Sequence, residues 1–255
     1  MEDKFARKAS LALLTLSSGL LVSGGAGAVD WYTGDKTSEP DYKPSIVLDA
    51  SGSLASRSDF GAVAVTGAVD GDLGKSGFVA RGEVVGGVYN YNATNAGVTQ
   101  RINATQISGG ALVGYGWVSP NWTFMALGGA QVVSTQTTPV DPNNATRGTH
   151  IGAKFAAEFY GNPTANSMFS GYASYGTANN DYYSRFKAGY AVANRVFVGP
   201  EFLALGDRFY TEYRAGLHVT GVSLGQLALG VSGGFSSNSV AGQGVYGIID
   251  ARFAF

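Results

Sequence analysis

From residue 45 to the C-terminus the chain alternates apolar and polar positions in short stretches, punctuated by Gly, Pro, Asn and Asp. In HIGAKFAAEFY, Ile151, Ala153, Phe155, Ala157 and Phe159 share one parity, while His150, Lys154, Glu158 and Tyr160 share the other. In YYSRFKAGYAV, Phe186, Ala188, Tyr190 and Val192 oppose Tyr183, Arg185 and Lys187. In FYTEYRAGLHVT, Phe209, Tyr213, Ala215, Leu217 and Val219 oppose Tyr210, Glu212, Arg214 and His218. Arg81 and Glu83 share a face in the same way, and in the closing GIIDARFAF, Ile249, Phe253 and Phe255 oppose Asp250 and Arg252. A period of two is the repeat of a β-strand that separates an apolar side from a polar one.

The pattern predicts strands near 45–53, 59–69, 77–91, 104–118, 121–135, 148–161, 167–178, 182–193, 195–205, 208–221, 225–236 and 243–255. Connectors such as GDLGK, SPN, GNPTAN and GVSLG are tight, whereas NATNAGVTQRIN, TTPVDPNNATR and SSNSVAGQG read as longer loops. Short and long turns alternate in this way in membrane barrels, although ANND and GDR, between 178 and 208, are both short. With both termini on one side the strand number is even, so the count is twelve, with ten as the alternative. A soluble sandwich also alternates, but its outer positions would be richer in Lys, Glu, Ser and Thr and its core poorer in Gly and Ala. Here charges are sparse and confined to one parity. That is expected if the other parity meets lipid, where a Lys or Arg at mid-depth costs about 2–4 kcal/mol. The predicted fold is all-β, a transmembrane antiparallel up-and-down β-barrel over 45–255.

Composition agrees with this and narrows the compartment. Charged residues make up 14% of the chain and Gly contributes 38 of 255 residues, against typical shares of roughly 25% and 7%. Such a chain is a poor helix former. The 14 Tyr and 14 Phe suit the aromatic girdles of a barrel. Lys4, Arg7 and Lys8, the apolar run from Leu11 to Ser23 and the small residues Ala26-Gly27-Ala28 read as a secretory signal peptide over 1–28. The polar segment 29–44 reads as a flexible lead. The absence of Cys leaves the exported chain to be held by backbone pairing and packing, which a closed barrel provides without exposed edges. A final strand ending in Phe253 and Phe255 resembles the C-terminal signal of bacterial outer-membrane barrels, which is presented to the barrel assembly machinery. The expected location is the bacterial outer membrane, with lipid as the first partner.

On the polar parity, Arg81, Lys154, Arg185, Lys187, Arg214 and Arg252 nearly cancel Glu83, Glu158, Glu201, Glu212 and Asp250. In a small barrel this reads as a lumen filled with salt-bridged side chains rather than a strongly ion-selective channel. Tyr89, Tyr91, Tyr160, Tyr183, Tyr210 and Tyr246 fall on the same parity, and they either line a sugar-contacting path or pack within a filled lumen. A net charge of −1 without a basic block gives nucleic-acid binding no electrostatic support. Two stretches, Gly221 to Gly225 around Ser223 and Gly230 to Gly234 around Ser232, match the nucleophile-elbow pattern, but neither precedes a helix and His218 lies upstream. A lipid-modifying serine hydrolase is therefore a minor alternative, and no catalytic residue is assigned. The GxGxxG at Gly242 to Gly247 opens a strand, so it makes no pyrophosphate site. Asn92, Asn103, Asn121 and Asn144 begin N-x-S/T sequons that read as loop composition, and two His without Cys support no metal site. No cofactor is expected.

The order of several segments is similar to that in the BcsS family of cellulose biosynthesis proteins, over about residues 58 to 255. These include GDLGKSGFVARGEVVGGVYNYN, ISGGALVGYGWV, RGTHIGAKFAAEFYGNP and VFVGPEFLALGDRFYTEYRAGLHVTGV. The most specific parts are the VGPE…LGD block from Val198 to Asp207 and the segment from Arg147 to Pro163. The resemblance implies a non-enzymatic outer-membrane accessory of bacterial cellulose production. It would assist export or surface organisation of the glucan, with the glucan and the cellulose synthase secretion components as partners. A generic small porin or surface protein is the alternative.

Overall fold

A computed structural model describes residues 44–95, 97–193, 195–240 and 242–255. The signal peptide expected over 1–28, and the lead up to residue 43, lie outside the described residues. Twelve strands follow in order: β1 (Ile46–Ala55), β2 (Ser58–Ala68), β3 (Gly77–Asn95), β4 (Val98–Val118), β5 (Trp122–Thr138), β6 (Gly148–Thr164), β7 (Ser167–Gly176), β8 (Asp181–Ala193), β9 (Val196–Gly206), β10 (Thr211–Leu224), β11 (Leu227–Asn238) and β12 (Gly242–Ala254). Each is antiparallel to its sequence neighbours, and β12 pairs with β1 from Val47↔Ala254 to Ala55↔Tyr246, which closes the barrel. The seam is finished by the Ser45 and Ile46 amides donating to the Phe255 carbonyl at 2.8 and 3.1 Å, and by the Phe255 amide donating to Ile46. The twelve-strand count and the alternation read from the sequence both hold.

The outer face is apolar, with Ile151 80% exposed, Phe235 77% and Val113 68%, while inward neighbours such as Leu203 and Leu112 are buried. At the end of the barrel that carries the termini, Phe78, Tyr115, Trp117 and Phe124 form a chain of ring contacts at 5.0–5.5 Å, and Phe253 meets Phe255 at 4.9 Å. This is the aromatic belt of a membrane–water boundary. Eight strands have 10 to 14 residues, close to the roughly 9–11 that a tilted strand needs to cross hydrocarbon. β3 to β6 have 19, 21, 17 and 17 and rise as a wall at the opposite, distal end.

That wall corrects two expected loops. The connector placed over 92–103 is a hairpin, paired up to Asn95↔Val98 with its turn around Gly97, which has φ of 80°. The connector placed over 236–244 likewise shrinks, because β11 continues to Asn238 and β12 starts at Gly242, with φ of 75°. Both segments are mostly polar, with few apolar residues such as the buried Ile102, so hydropathy gives little strand signal, yet cross-strand pairs such as the Thr94 and Thr99 hydroxyls at 2.8 Å continue the ladder. The third expected loop keeps only 139–147, since β5 reaches Thr138.

Inside the barrel curvature brings backbones together. A Cβ on Gly129 would collide with the Ala111 carbonyl oxygen, and one on Gly114 with that of Ala126. Lipid-facing Gly82 has open space beside it. The glycine excess thus has an identifiable cause on the concave side of β4 and β5. Gly129→Val is expected to cost about 3 kcal/mol or more and to abolish the folded, heat-modifiable gel band, while Gly82→Ala leaves that band unchanged.

Candidate functional site

The charged positions predicted on one parity all project inward, and most join two networks that cross the lumen. In the first, Arg252 on β12 donates to both carboxylate oxygens of Asp49 on β1, at 2.5 and 3.0 Å, and to Glu158 on β6 at 3.1 Å. Arg81 on β3 donates to the other Glu158 oxygen at 2.9 Å and to Thr66 at 2.9 Å. β12 and β6 are diametrically opposite in the strand order, so Glu158 ties the two halves of the wall together. In the second network Arg185 on β8 reaches Glu201 at 2.7 Å, Asp250 at 2.8 Å and Ser232 at 2.9 Å. Lys187 donates to Asp250 at 3.0 Å and Ser51 to Asp250 at 3.0 Å. Beside these, Arg214 binds Glu212 at 2.8 Å and Ser53 at 2.8 Å, and Lys154 pairs with Glu83.

The sequence reading missed Asp49, the sixth carboxylate, which balances the six inward cations named from parity. It lay on the parity of Ser51 and Ser53, and that alignment was the available signal. Each charge has a partner across low-dielectric space, where an uncompensated ion would be costly.

Below the networks, at the terminus end, the lumen is apolar. Val47, Val79, Leu112, Met125 and Leu127 pack together with Leu73, which the β2–β3 turn inserts into the mouth. The Leu73 amide donates to the Pro44 carbonyl at 2.8 Å. Met168, Phe197 and Tyr160 fill the neighbouring sector. A cavity of about 630 Å³ runs from the distal loops down among the charged networks, as far as Tyr160 and Thr220.

The predicted tyrosines divide between these regions. Tyr89, Tyr91, Tyr160, Tyr183 and Tyr210 line the cavity at different heights. Tyr160 packs near the apolar floor, and Tyr246 donates to Glu201 at 3.1 Å beneath the Arg214 guanidinium. Tyr210, expected inside a strand, belongs to the turn before β10 because Asp207 caps that turn, accepting from the Phe209 and Tyr210 amides at 2.7 and 3.1 Å. Its hydroxyl donates to Glu212. Burial pushes the Asp207 carboxyl above its usual range, against the pull of those two amides.

Three further contributors to the cavity were not anticipated. Phe60 stacks near Tyr89, centroids 6.4 Å apart and planes at 18°, and Tyr89 near Tyr91 at 6.1 Å and 23°. Tyr172 lies under the Arg81 guanidinium at 5.9 Å. Loop 139–147 folds back onto the wall, where Tyr91 donates to Asp141 at 2.9 Å and accepts from Asn144 at 2.8 Å.

His218 is the cross-strand partner of Ser232, but the hydrogen bonds of His218 and of both motif serines go elsewhere. His218 is bonded through Nδ1 to Thr220 at 2.9 Å and through Nε2 to the Ala188 carbonyl at 3.1 Å. Ser232 accepts from Arg185, and Ser223 bonds the Gly221 carbonyl.

A closed antiparallel barrel with an apolar exterior and a charge-braced lumen defines a β-barrel of the membrane-spanning type. The family model for cellulose biosynthesis protein BcsS matches residues 47–255, and the chain belongs to that family. No individual curated protein matches it. Among solved structures it is similar to LpxR from Salmonella typhimurium, with 11% identity and a TM-score of 0.47 over 82% of this chain and 100% of that one. The translocator domain of the autotransporter NalP from Neisseria meningitidis gives 10% and 0.44 over 99% and 98%. The KdgM porin gives 8% and 0.42 over 82% and 99%.

Because Glu158 bridges Arg81 and Arg252, Glu158→Ala leaves these two cations with Asp49 as their one remaining shared carboxylate. The folded barrel is expected to lose about 2–4 kcal/mol against guanidinium unfolding in detergent micelles, less than a fully buried pair because Glu158 keeps 20% exposure.

Proposed function

We propose that this barrel sits in the bacterial outer membrane with its termini in the periplasm and serves cellulose production non-enzymatically from its outer face, by organising the neutral glucan at the surface. The observation that carries this reading is the polarity of the lumen: packed with apolar side chains at the terminus end, braced across its middle, and hollow toward the distal rim. Of the two roles open to such an accessory, export and surface organisation, a braced and apolar-floored lumen supports the second. Moving a polymer through it would require breaking ion pairs that span the diameter and displacing Leu73 together. The partners in this reading are lipid on the apolar exterior, the assembly machinery at the last strand with Phe253 and Phe255, the secreted glucan, and secretion components of the synthase on the periplasmic side.

Cellulose output in a deletion strain, by dye binding and glucan quantitation, is expected to fall and to recover with the intact gene, with folding checked by heat-modifiable mobility. Unchanged cellulose would remove the role. In planar bilayers the purified barrel is expected to show no steady ion conductance, and open channels together with normal cellulose would establish a generic porin instead.

A further inference from the structure

We infer that the distal cavity is a binding site for a single chain of neutral β-linked glucose units, built from the Phe60–Tyr89–Tyr91 ring array and loop 139–147. The inference rests on the surface role proposed above and names the group through which that role is exerted.

The rings come from neighbouring strands in fixed register. Ser58 pairs with Tyr89 at the start of β2, and Phe60, Tyr89 and Tyr91 project to the same inner side. Their planes lie within 18° and 23° of one another and their centroids are 6.4 and 6.1 Å apart, so they form a near-parallel series leading up the wall. All three side chains are half-buried, whereas Tyr160 and Tyr246 are buried. An aromatic ring presents an apolar, electron-rich face, which suits the C–H faces of a pyranose, and a series of rings suits a polymer with one sugar after another. β3 and β4 continue for six more paired positions beyond Tyr89, about 20 Å along the strand, so a bound chain can leave along the inside of the wall.

Polar groups flank the series. Loop 139–147 brings Asp141, Asn143 and Asn144 to the cavity, and its own hydrogen bonds hold it in shape. Asp141 takes the Asn143 amide at 3.0 Å and Asn144 takes the Thr146 amide and hydroxyl at 2.9 and 2.7 Å, while Tyr91 ties the loop to the wall. Across the cavity Gln131 holds Asp181 at 2.8 Å. Amides and carboxylates together offer donors and acceptors, as sugar hydroxyls require. The site carries no net charge that would favour an ionic ligand, since the lining holds seven acidic and seven basic side chains. The volume of about 630 Å³ falls within the roughly 300–1,000 Å³ of small-molecule sites.

The test uses the full mature barrel, refolded in a zwitterionic detergent that carries no sugar, and isothermal titration with cellohexaose. Saturable binding is expected, weakened by about tenfold or more in Phe60→Ala and in Tyr89→Ala, the loss of roughly one ring contact each. Lipid-facing Phe235→Ala is expected to bind as the parent does. An anionic oligogalacturonate is expected not to compete. Absence of saturable cellohexaose binding by the folded parent overturns the inference, as does equal affinity in the Phe60→Ala/Tyr89→Ala double variant with an intact heat-modifiable band. Displacement by oligogalacturonate overturns the neutral-ligand assignment. Ring-dependent binding in vitro with normal cellulose in the deletion strain leaves this site standing and removes the cellulose role. Cellulose that depends on the barrel but not on Phe60 and Tyr89, with no cellohexaose bound, removes the site and keeps the role.

Discussion

Closure of β12 on β1 is the constraint from which the rest of the molecule follows. In hydrocarbon an unpaired amide or carbonyl has no water to turn to, so a sheet can cross only if it has no edge. Nine consecutive pairs along the seam, from Val47↔Ala254 to Ala55↔Tyr246, meet that demand, and Phe255 adds the last backbone bonds to Ser45 and Ile46. Once twelve strands are closed the circumference is set, and with it a narrow interior. Narrowness explains why Gly114 and Gly129 face backbone rather than space, and why charges from opposite walls come within hydrogen-bond distance.

The interior charges are then a consequence and a constraint together. Facing outward, a Lys or Arg would meet lipid, so it must point in, and pointing in it must find a carboxylate. Arg252, Glu158 and Arg81 satisfy this across the lumen, whereas Arg214 and Glu212 do so along one strand. Only the first kind joins distant parts of the wall. An ion pair of that kind adds less to net stability than its Coulomb attraction suggests, because both partners were dehydrated to make it. Its larger effect is on shape: it ties β6, β3, β1 and β12 together around the hollow that these side chains line.

Strand number, alternation and the inward charges were legible because each depends only on parity. Ile249 and Phe253 separate from Asp250 and Arg252 by counting alone. What parity cannot say is how high on the wall a residue sits. Tyr160 and Tyr91 share a parity and have different surroundings, one among Met168 and Phe197, the other at the distal rim beside Asp141. Leu112 and Met125 also point inward, against the expectation of a polar lumen, because the terminus end of a closed barrel is itself a small apolar core. The hairpin through Gly97 was hidden for a related reason, since strands that rise beyond the apolar band carry mostly polar residues, and a lone apolar one such as Ile102 makes no alternation. Phe60 carried no sign of its role, because its partners, Tyr89 and Tyr91, come from another strand.

The uneven wall connects these points. If all twelve strands had ended at the height of β2, the rings of Tyr89 and Tyr91 would stand at an open rim with nothing behind them. β3 to β6 continue instead, and loop 139–147 turns back from the top of β5 and is tied to Tyr91 from above. The Tyr91 hydroxyl is spent on that latch, so the ring is fixed by its edge while its body stays half-exposed. A binding surface gains affinity from parts that are ordered before the ligand arrives, because less entropy is lost on association. Network, floor and latch thus act together: they brace the lumen and hold the distal wall in place.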